Sequence, residues 1–171
     1  MSDSETYRFA DDGRFPNSVL PLLVHRRALP PDPAAMERAF AAHGWSNAWR
    51  NGIHGFHHFH STAHEVLGIA AGAVRVAFGG PAGRELTVQA GDVVVIPAGV
   101  AHCNKGQSAD LLVVGAYPGG ADYDICRGVP AERAAVLRAV AAVPLPGSDP
   151  VLGRDEGLRR LWGHGDPRDR G

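Results

Sequence analysis

The chain has 171 residues, 44% hydrophobic and 20% charged, with a formal net charge of −1. That suffices for one sizeable core, excludes a disordered chain, and gives no electrostatic case for nucleic acid or an anionic membrane. Two cysteines, Cys103 and Cys126, exclude a secreted disulfide scaffold, and no CxxC pair is present to hold zinc. Of 17 basic residues only Lys105 is a lysine, a composition that, with the many alanines and glycines, points to a GC-rich bacterial genome. The start, MSDSETYRFADDGR, is polar and acidic, unlike a signal peptide, and no apolar run approaches a membrane span. The expectation is a soluble cytoplasmic protein that binds neither membrane nor nucleic acid.

In chain order, the first 14 residues read as polar with a turn at Asp11-Asp12-Gly13. The apolar run Val19 to Leu29 carries Pro21, which predicts an edge strand or extended arm, not a central strand. Asp32 fits a helix N-cap, Pro33 the first turn and Gly44 the stop, with Met36, Ala39, Phe40 and His43 as the apolar stripe. From Trp45 to Tyr117 short β segments alternate with glycine turns. Strands are predicted near 53–60, 65–71, 73–79, 85–89, 92–96 and 111–117, with a short one beginning at His102. A second helix is predicted from Pro130, with Ala134, Val136, Leu137, Val140 and Ala141 as its apolar face and Pro144 and Pro146 ending it. Leu152, Leu158, Leu161 and Trp162 are expected to dock the tail, which frays beyond His164. The pattern predicts a mainly β sandwich or barrel in one domain, 1–171: arm and helix over 1–44, barrel over 45–120, helix and tail over 121–171.

Five of the nine histidines fall in GIHGFHHFHSTAHE, residues 52–65. A lone histidine is most often a surface or satisfied core residue, but strand parity sorts this cluster. Alternation puts His58 and His60 on one face and His57 and Phe59 on the other. Two imidazoles on one face can converge on one ion, Glu65 can reach back across the Ser61-Thr62-Ala63 turn, and His102 is the remaining isolated histidine of the β region. His64, beside Glu65, is expected to point away.

At these residues the sequence resembles the cupin superfamily. The first motif of that family, G, five residues, HxH, three or four residues, E, six residues, G, is met by Gly52, His58, His60, Glu65 and Gly72. The second, G, five residues, PxG, two residues, H, three residues, N, is met by Gly91, Pro97, Gly99 and His102, with Gly106 in place of the final Asn. Two linked motifs over the central third of the chain are far more specific than a single match. The flanks DDGRFPNS, GWSNAWRNG and PLPGSDPVLG resemble a group of bacterial cupins without assigned function.

The resemblance implies a double-stranded β-helix, a jelly-roll barrel with a short helix on each side of it in sequence. It also implies one divalent transition metal (Fe, Ni, Mn or Zn) held by His58, His60, Glu65 and His102, borderline ligands that do not select one metal. An octahedral ion would keep two positions open, and a closed tetrahedron would be structural. The function implied is a metal-dependent enzyme, dioxygenase-like, acting on a small polar metabolite. A non-catalytic small-ligand or metal-binding cupin and a metal-dependent isomerase are the alternatives.

Candidate substrate contacts are Arg50, His54, Phe56, Asn104 and Tyr117. Arg50 suits an anionic group but is more often ion-paired on a surface, while His54 and Phe56 share the parity of His58 and Asn104 that of His102. Trp49 reads as core filling, Cys103 as a thiol turned away from the metal, and Asp122 and Asp124 as a solvated turn. Barrels of this kind commonly pair, so a homodimer is expected, with the arm Val19 to Leu29 adding a strand to a partner's sheet.

Overall fold

In the computed structural model, which describes residues 4–163, the strands are β1 (Glu5–Phe9), β2 (Ser18–His25), β3 (Trp45–Asn51), β4 (Glu65–Ala71), β5 (Ala73–Phe78), β6 (Arg84–Gln89), β7 (Val93–Ile96), β8 (His102–Gln107) and β9 (Leu112–Pro118). The helices are α1 (Pro33–Ala42), α2 (Arg133–Ala142) and α3 (Leu158–Trp162). A six-stranded sheet in the order β1-β2-β7-β4-β9-β3 faces a three-stranded sheet, β6-β5-β8, and every pairing is antiparallel. Together they form a mainly β jelly-roll barrel.

Side-chain alternation decides the layering. On β4, Leu67 and Ile69 point between the sheets with Val94 and Ile96 of β7 and Val74, Val76 and Phe78 of β5. Val66 and Ala70 point the other way, with Val93 and Val95, onto Met36 and Phe40 of α1 and Leu158 and Trp162 of α3. A strand buried on both faces has no polar period, which is why Val93 to Ile96 is uniformly apolar. Burying a Leu, Val, Ile or Phe side chain contributes about 1.5–3 kcal/mol, so these two clusters dominate the stabilisation. Gly68 permits the close approach of α1: a Cβ there would lie 2.8 Å from the Met36 sulfur and 2.9 Å from the Phe40 ring.

The predicted α1 is present with its cap, the Asp32 carboxylate accepting Ala35 N–H at 2.8 Å. Helix α2 begins after a 3-10 turn at Pro130–Glu132 and ends just before Pro144, although Val136 is buried and Leu137 is exposed. Leu158 and Trp162 dock the tail, whereas Leu152 and Leu161 stay exposed. Asp149 anchors that tail: fully buried, it accepts the amides of Val151, Leu152 and Leu158 and pairs with His25 Nε2 at 2.9 Å. The expected fraying beyond His164 lies outside the described residues.

Four expectations are corrected. Residues 5–9, read as part of a polar leader, form β1, because the alternation Glu5, Tyr7, Phe9 gives a half-buried edge strand. The run from Val19 is no free arm or edge: β2 lies inside the six-stranded sheet and pairs within its own chain. Pro21 is tolerated because pairing with β1 shifts register between Tyr7 and Phe9, and pairing with β7 begins only at Leu23. The segment 53–60 is no strand: it bends at Gly55-Phe56 and is bridged only at His58 and Phe59. Its backbone bonds alternate between two partners, His58 with His102 on one side and Phe59 with Cys126 on the other, so no continuous ladder forms. Trp45–Asn51, inside the predicted β region but given no strand of its own, is the strand β3.

Candidate metal centre

The stretch 57–60, between bends at Gly55-Phe56 and Ser61-Thr62, bridges His102 on one side and Cys126 on the other, and alternation, which survives without a ladder, directs its side chains. His58 and His60 turn inward, 5.9 Å apart between ring centroids, and meet His102 at the start of β8 and Glu65 at the start of β4. All four are buried. The ligand atoms of His58, His60 and His102 lie within 4.8 Å of one another, a grouping with metal-ligand spacing among the described residues. Glu65 faces two of them, Oε2 at 3.2 Å from His60 Nε2 and Oε1 at 3.4 Å from His102 Nε2.

The outward nitrogens settle the tautomers. Nδ1 of His58 donates to the Phe56 carbonyl at 3.0 Å, Nδ1 of His102 to the Val100 carbonyl at 3.2 Å, and Nδ1 of His60 to the Asp124 carbonyl. A carbonyl oxygen only accepts, so each Nδ1 carries a proton and each neutral ring turns the Nε2 lone pair inward. Lone pairs facing a carboxylate repel unless a cation lies between them, either a proton or a metal ion. The residues therefore fit a divalent transition metal, with backbone carbonyls orienting all three imidazoles.

The charges agree with this packing. Burial, with His102 close by, pushes His58 down to about 3. Burial works against the charged form of His60, but the Glu65 carboxylate outweighs it and holds His60 above its usual value. Burial alone would raise Glu65, yet His60 and His102 hold it well below the usual carboxylate range. Tyr117, fully buried on β9, donates to Glu65 Oε2 at 2.6 Å and accepts Trp49 Nε1–H at 2.7 Å. Burial and the same carboxylate keep that phenol far above its ordinary pKa. Gly115 makes room for this relay, since a Cβ there would sit 2.2 Å from the Trp49 indole.

These groups line a cavity of about 630 Å³, within the range of small-molecule sites. Of the candidate substrate contacts, His54 and Tyr117 line it, His54 packing edge-on against His58 at 5.0 Å. Arg50 also lines the rim, but its guanidinium is paired with Glu37 at 2.5 Å. Phe56 and Asn104 are not in the wall. Phe56 is stacked between His54 and the Arg127 guanidinium, 4.0 Å from its ring. The Asn104 amide is committed to Ile53 O and Gln107 Oε1, because β8 shifts register after Asn104, and Gln107 reaches the cavity instead. Trp49, read as core filling, packs against the core and lines the cavity too.

His57 turns out of the cavity against Phe15, at 5.7 Å, and His64 lies against Trp162 with Nδ1 accepting Ala98 N–H at 2.9 Å. Cys103 is a buried free thiol.

Leu67 was legible in principle, since it shares the parity of Glu65. Tyr123 was not: it comes from an irregular strap after β9 and stacks on Tyr117 at 4.3 Å, 5.2 Å from the His60 ring. Asp124 on the same strap is no solvated turn residue. Its carboxylate accepts Ser61 N–H at 2.7 Å and the Ser61 hydroxyl, and its pKa is lowered, burial being outweighed by these donors.

A barrel of this topology with imidazoles and a carboxylate gathered inside its mouth defines a class, and the comparisons agree. Residues 47–119 match the family model described as Cupin. An uncharacterized protein of Bacillus subtilis (strain 168), YjlB, is 42% identical over 94% of this chain and 97% of its own. The chain belongs to the cupin family, as a bacterial member without assigned function. Among solved structures, it resembles the dTDP-6-deoxy-D-glucose-3,5-epimerase of Legionella pneumophila, at 14% identity and a TM-score of 0.41 over 71% of this chain and 74% of that one. It also resembles the acireductone dioxygenase of Bacillus anthracis, solved with a cadmium ion in its active center, at 15% identity and a TM-score of 0.33 over 63% of this chain and 54% of that one.

Proposed function

We propose that the protein binds one divalent transition metal through His58, His60, Glu65 and His102 and uses it as a dioxygenase-like enzyme on a small polar metabolite. The observation that carries the reading is the trio of Nδ1–H groups fixed on backbone carbonyls, which leaves three inward Nε2 lone pairs, two of them facing the Glu65 carboxylate. A bound Fe, Ni, Mn or Zn ion supplies Lewis acidity, and a redox-active one also supplies a meeting point for substrate and O₂.

The protein's own groups hold that arrangement. Tyr117 fixes the Glu65 carboxylate by donation, and Trp49 fixes Tyr117. Leu67, Ile53 and Ile125 give the cavity apolar walls, while His54 and Gln107 offer hydrogen bonds to a polar ligand. The test is anaerobic reconstitution with Fe(II), elemental analysis, and oxygen uptake across a metabolite screen. About one ion per chain with substrate-dependent uptake is expected. A tightly held ion without turnover would make the protein a binding cupin, and no ion under any loading would remove the reading.

A further inference from the structure

We infer that Asp124 is a positioning residue for His60: its carboxylate clamps Ser61 and so holds the Asp124 carbonyl on the imidazole that turns a ligand nitrogen into the cavity. The inference rests on the proposed metal site and adds a residue outside both cupin motifs.

The strap that carries it follows β9 through Gly119 and Gly120 and runs beside the histidine segment. Along it, Thr62 Oγ1 donates to Asp122 O at 3.2 Å, Ser61 donates twice to Asp124, and Phe59 and Cys126 exchange both backbone bonds at 2.9 and 2.8 Å. On its other side, the histidine segment bonds β8 through His58 with His102, His54 O with Asn104 N and Ile53 O with the Asn104 amide, and the turn before β8 through Gly99 N–H to His60 O at 2.8 Å. That turn holds the His60 carbonyl, whereas the outer nitrogen of the His60 ring is held by the strap. The Asp124 side chain and carbonyl grip adjacent residues, Ser61 and His60, so one residue fixes both the backbone carrying the ring and the ring's outer nitrogen. Groups that orient a ligating histidine set metal affinity by about 10–100-fold.

The test compares wild type with Asp124→Ala, Asp124→Asn and Thr62→Ala, using Zn(II) competition against a chromophoric chelator. The hydrogen-bonded His60 Nδ1–H proton is followed by NMR in zinc-loaded and metal-free protein. Asp124→Ala should weaken zinc binding about 10–100-fold and lose the Nδ1–H signal. Asp124→Asn should stay near wild type, because its amide can accept Ser61 N–H and donate to Ser61 Oγ. Thr62→Ala, which loosens the strap elsewhere, should also stay near wild type. If Asp124→Ala does not fold, Ser61→Ala, which removes one of the two donors, should show a smaller loss in the same direction.

Unchanged affinity and an intact Nδ1–H in Asp124→Ala, or in Ser61→Ala where that variant stands in, would overturn the inference. So would a loss in Asp124→Asn or Thr62→Ala as large as that in Asp124→Ala. A wild type that takes no zinc would sink the metal reading instead, and the metal-free Nδ1–H signal would still decide the role of Asp124.

Discussion

Replacing Tyr117 by Phe isolates the relay that holds Glu65, because the ring and its stacking on Tyr123 are kept and only the hydroxyl is lost. The phenol donates to Glu65 Oε2 at 2.6 Å and accepts from Trp49 Nε1 at 2.7 Å. A hydrogen bond to a charged group contributes about 1.5–3 kcal/mol, and an unsatisfied buried donor costs about 1–3 kcal/mol. Trp49 borders the cavity, so water can satisfy its N–H in part, and the low end applies to that term. The metal-free variant should therefore lose about 2.5–4 kcal/mol, or about 5–16 °C in melting temperature for a chain of this size. Zinc affinity should fall about 10–100-fold, since a group orienting a ligand is gone. Urea denaturation of metal-free protein and chelator competition measure the two effects. A double-mutant cycle with Trp49→Phe should show coupling of about 1 kcal/mol. A stability loss below about 0.5 kcal/mol with unchanged affinity would show that the relay neither supports the fold nor holds the carboxylate.

Gly115→Ala should push the Trp49 indole off Tyr117, because its Cβ would stand 2.2 Å from that ring; overpacking of about 1–3 kcal/mol and altered tryptophan fluorescence are expected in a melt. Asp149 has its pKa lowered, burial being outweighed by His25 and the Val151 and Leu152 amides. With its folded pKa below the ordinary 3.8, its contribution is complete above that value and is lost as pH falls through the folded one. Proteolysis of the tail should therefore rise below about pH 4 in wild type and already at pH 7 in Asp149→Ala. Deleting residues 1–29 removes β1 and β2 with the fully buried Leu22, Leu23 and Val24, so circular dichroism should show loss of the fold, not a released monomer.

Local signals sufficed where a residue's neighbours in sequence are also its partners. Helix α1 was legible because Asp32 caps its own first turn; β4, whose partners β7 and β9 are distant in sequence, was legible instead as an apolar run, because it is buried on both faces. The inward set His58, His60, Glu65 and His102 was legible because parity and the two motifs agree on it. Pro21 misled because the rule against proline in an interior strand holds only where the ladder needs its amide, and a register shift removes that need here. The segment 53–60 misled in the opposite way, having a strand's alternation without a strand's partner. Asp124 was out of reach because its role depends on Ser61, met across more than 60 residues of chain. Asn104 failed for a similar reason: a register shift in β8, set by pairing with β5, decides where its amide goes.

The most direct measurement is metal content after equal anaerobic reconstitution of wild type and single alanine variants, because His57 and His58 are adjacent and face opposite ways. Wild type and His57→Ala should carry about one ion per chain, and His58→Ala, His60→Ala and His102→Ala should lose most of it. An ion retained in His58→Ala but lost from His57→Ala, or none in wild type, would contradict the assignment of the centre.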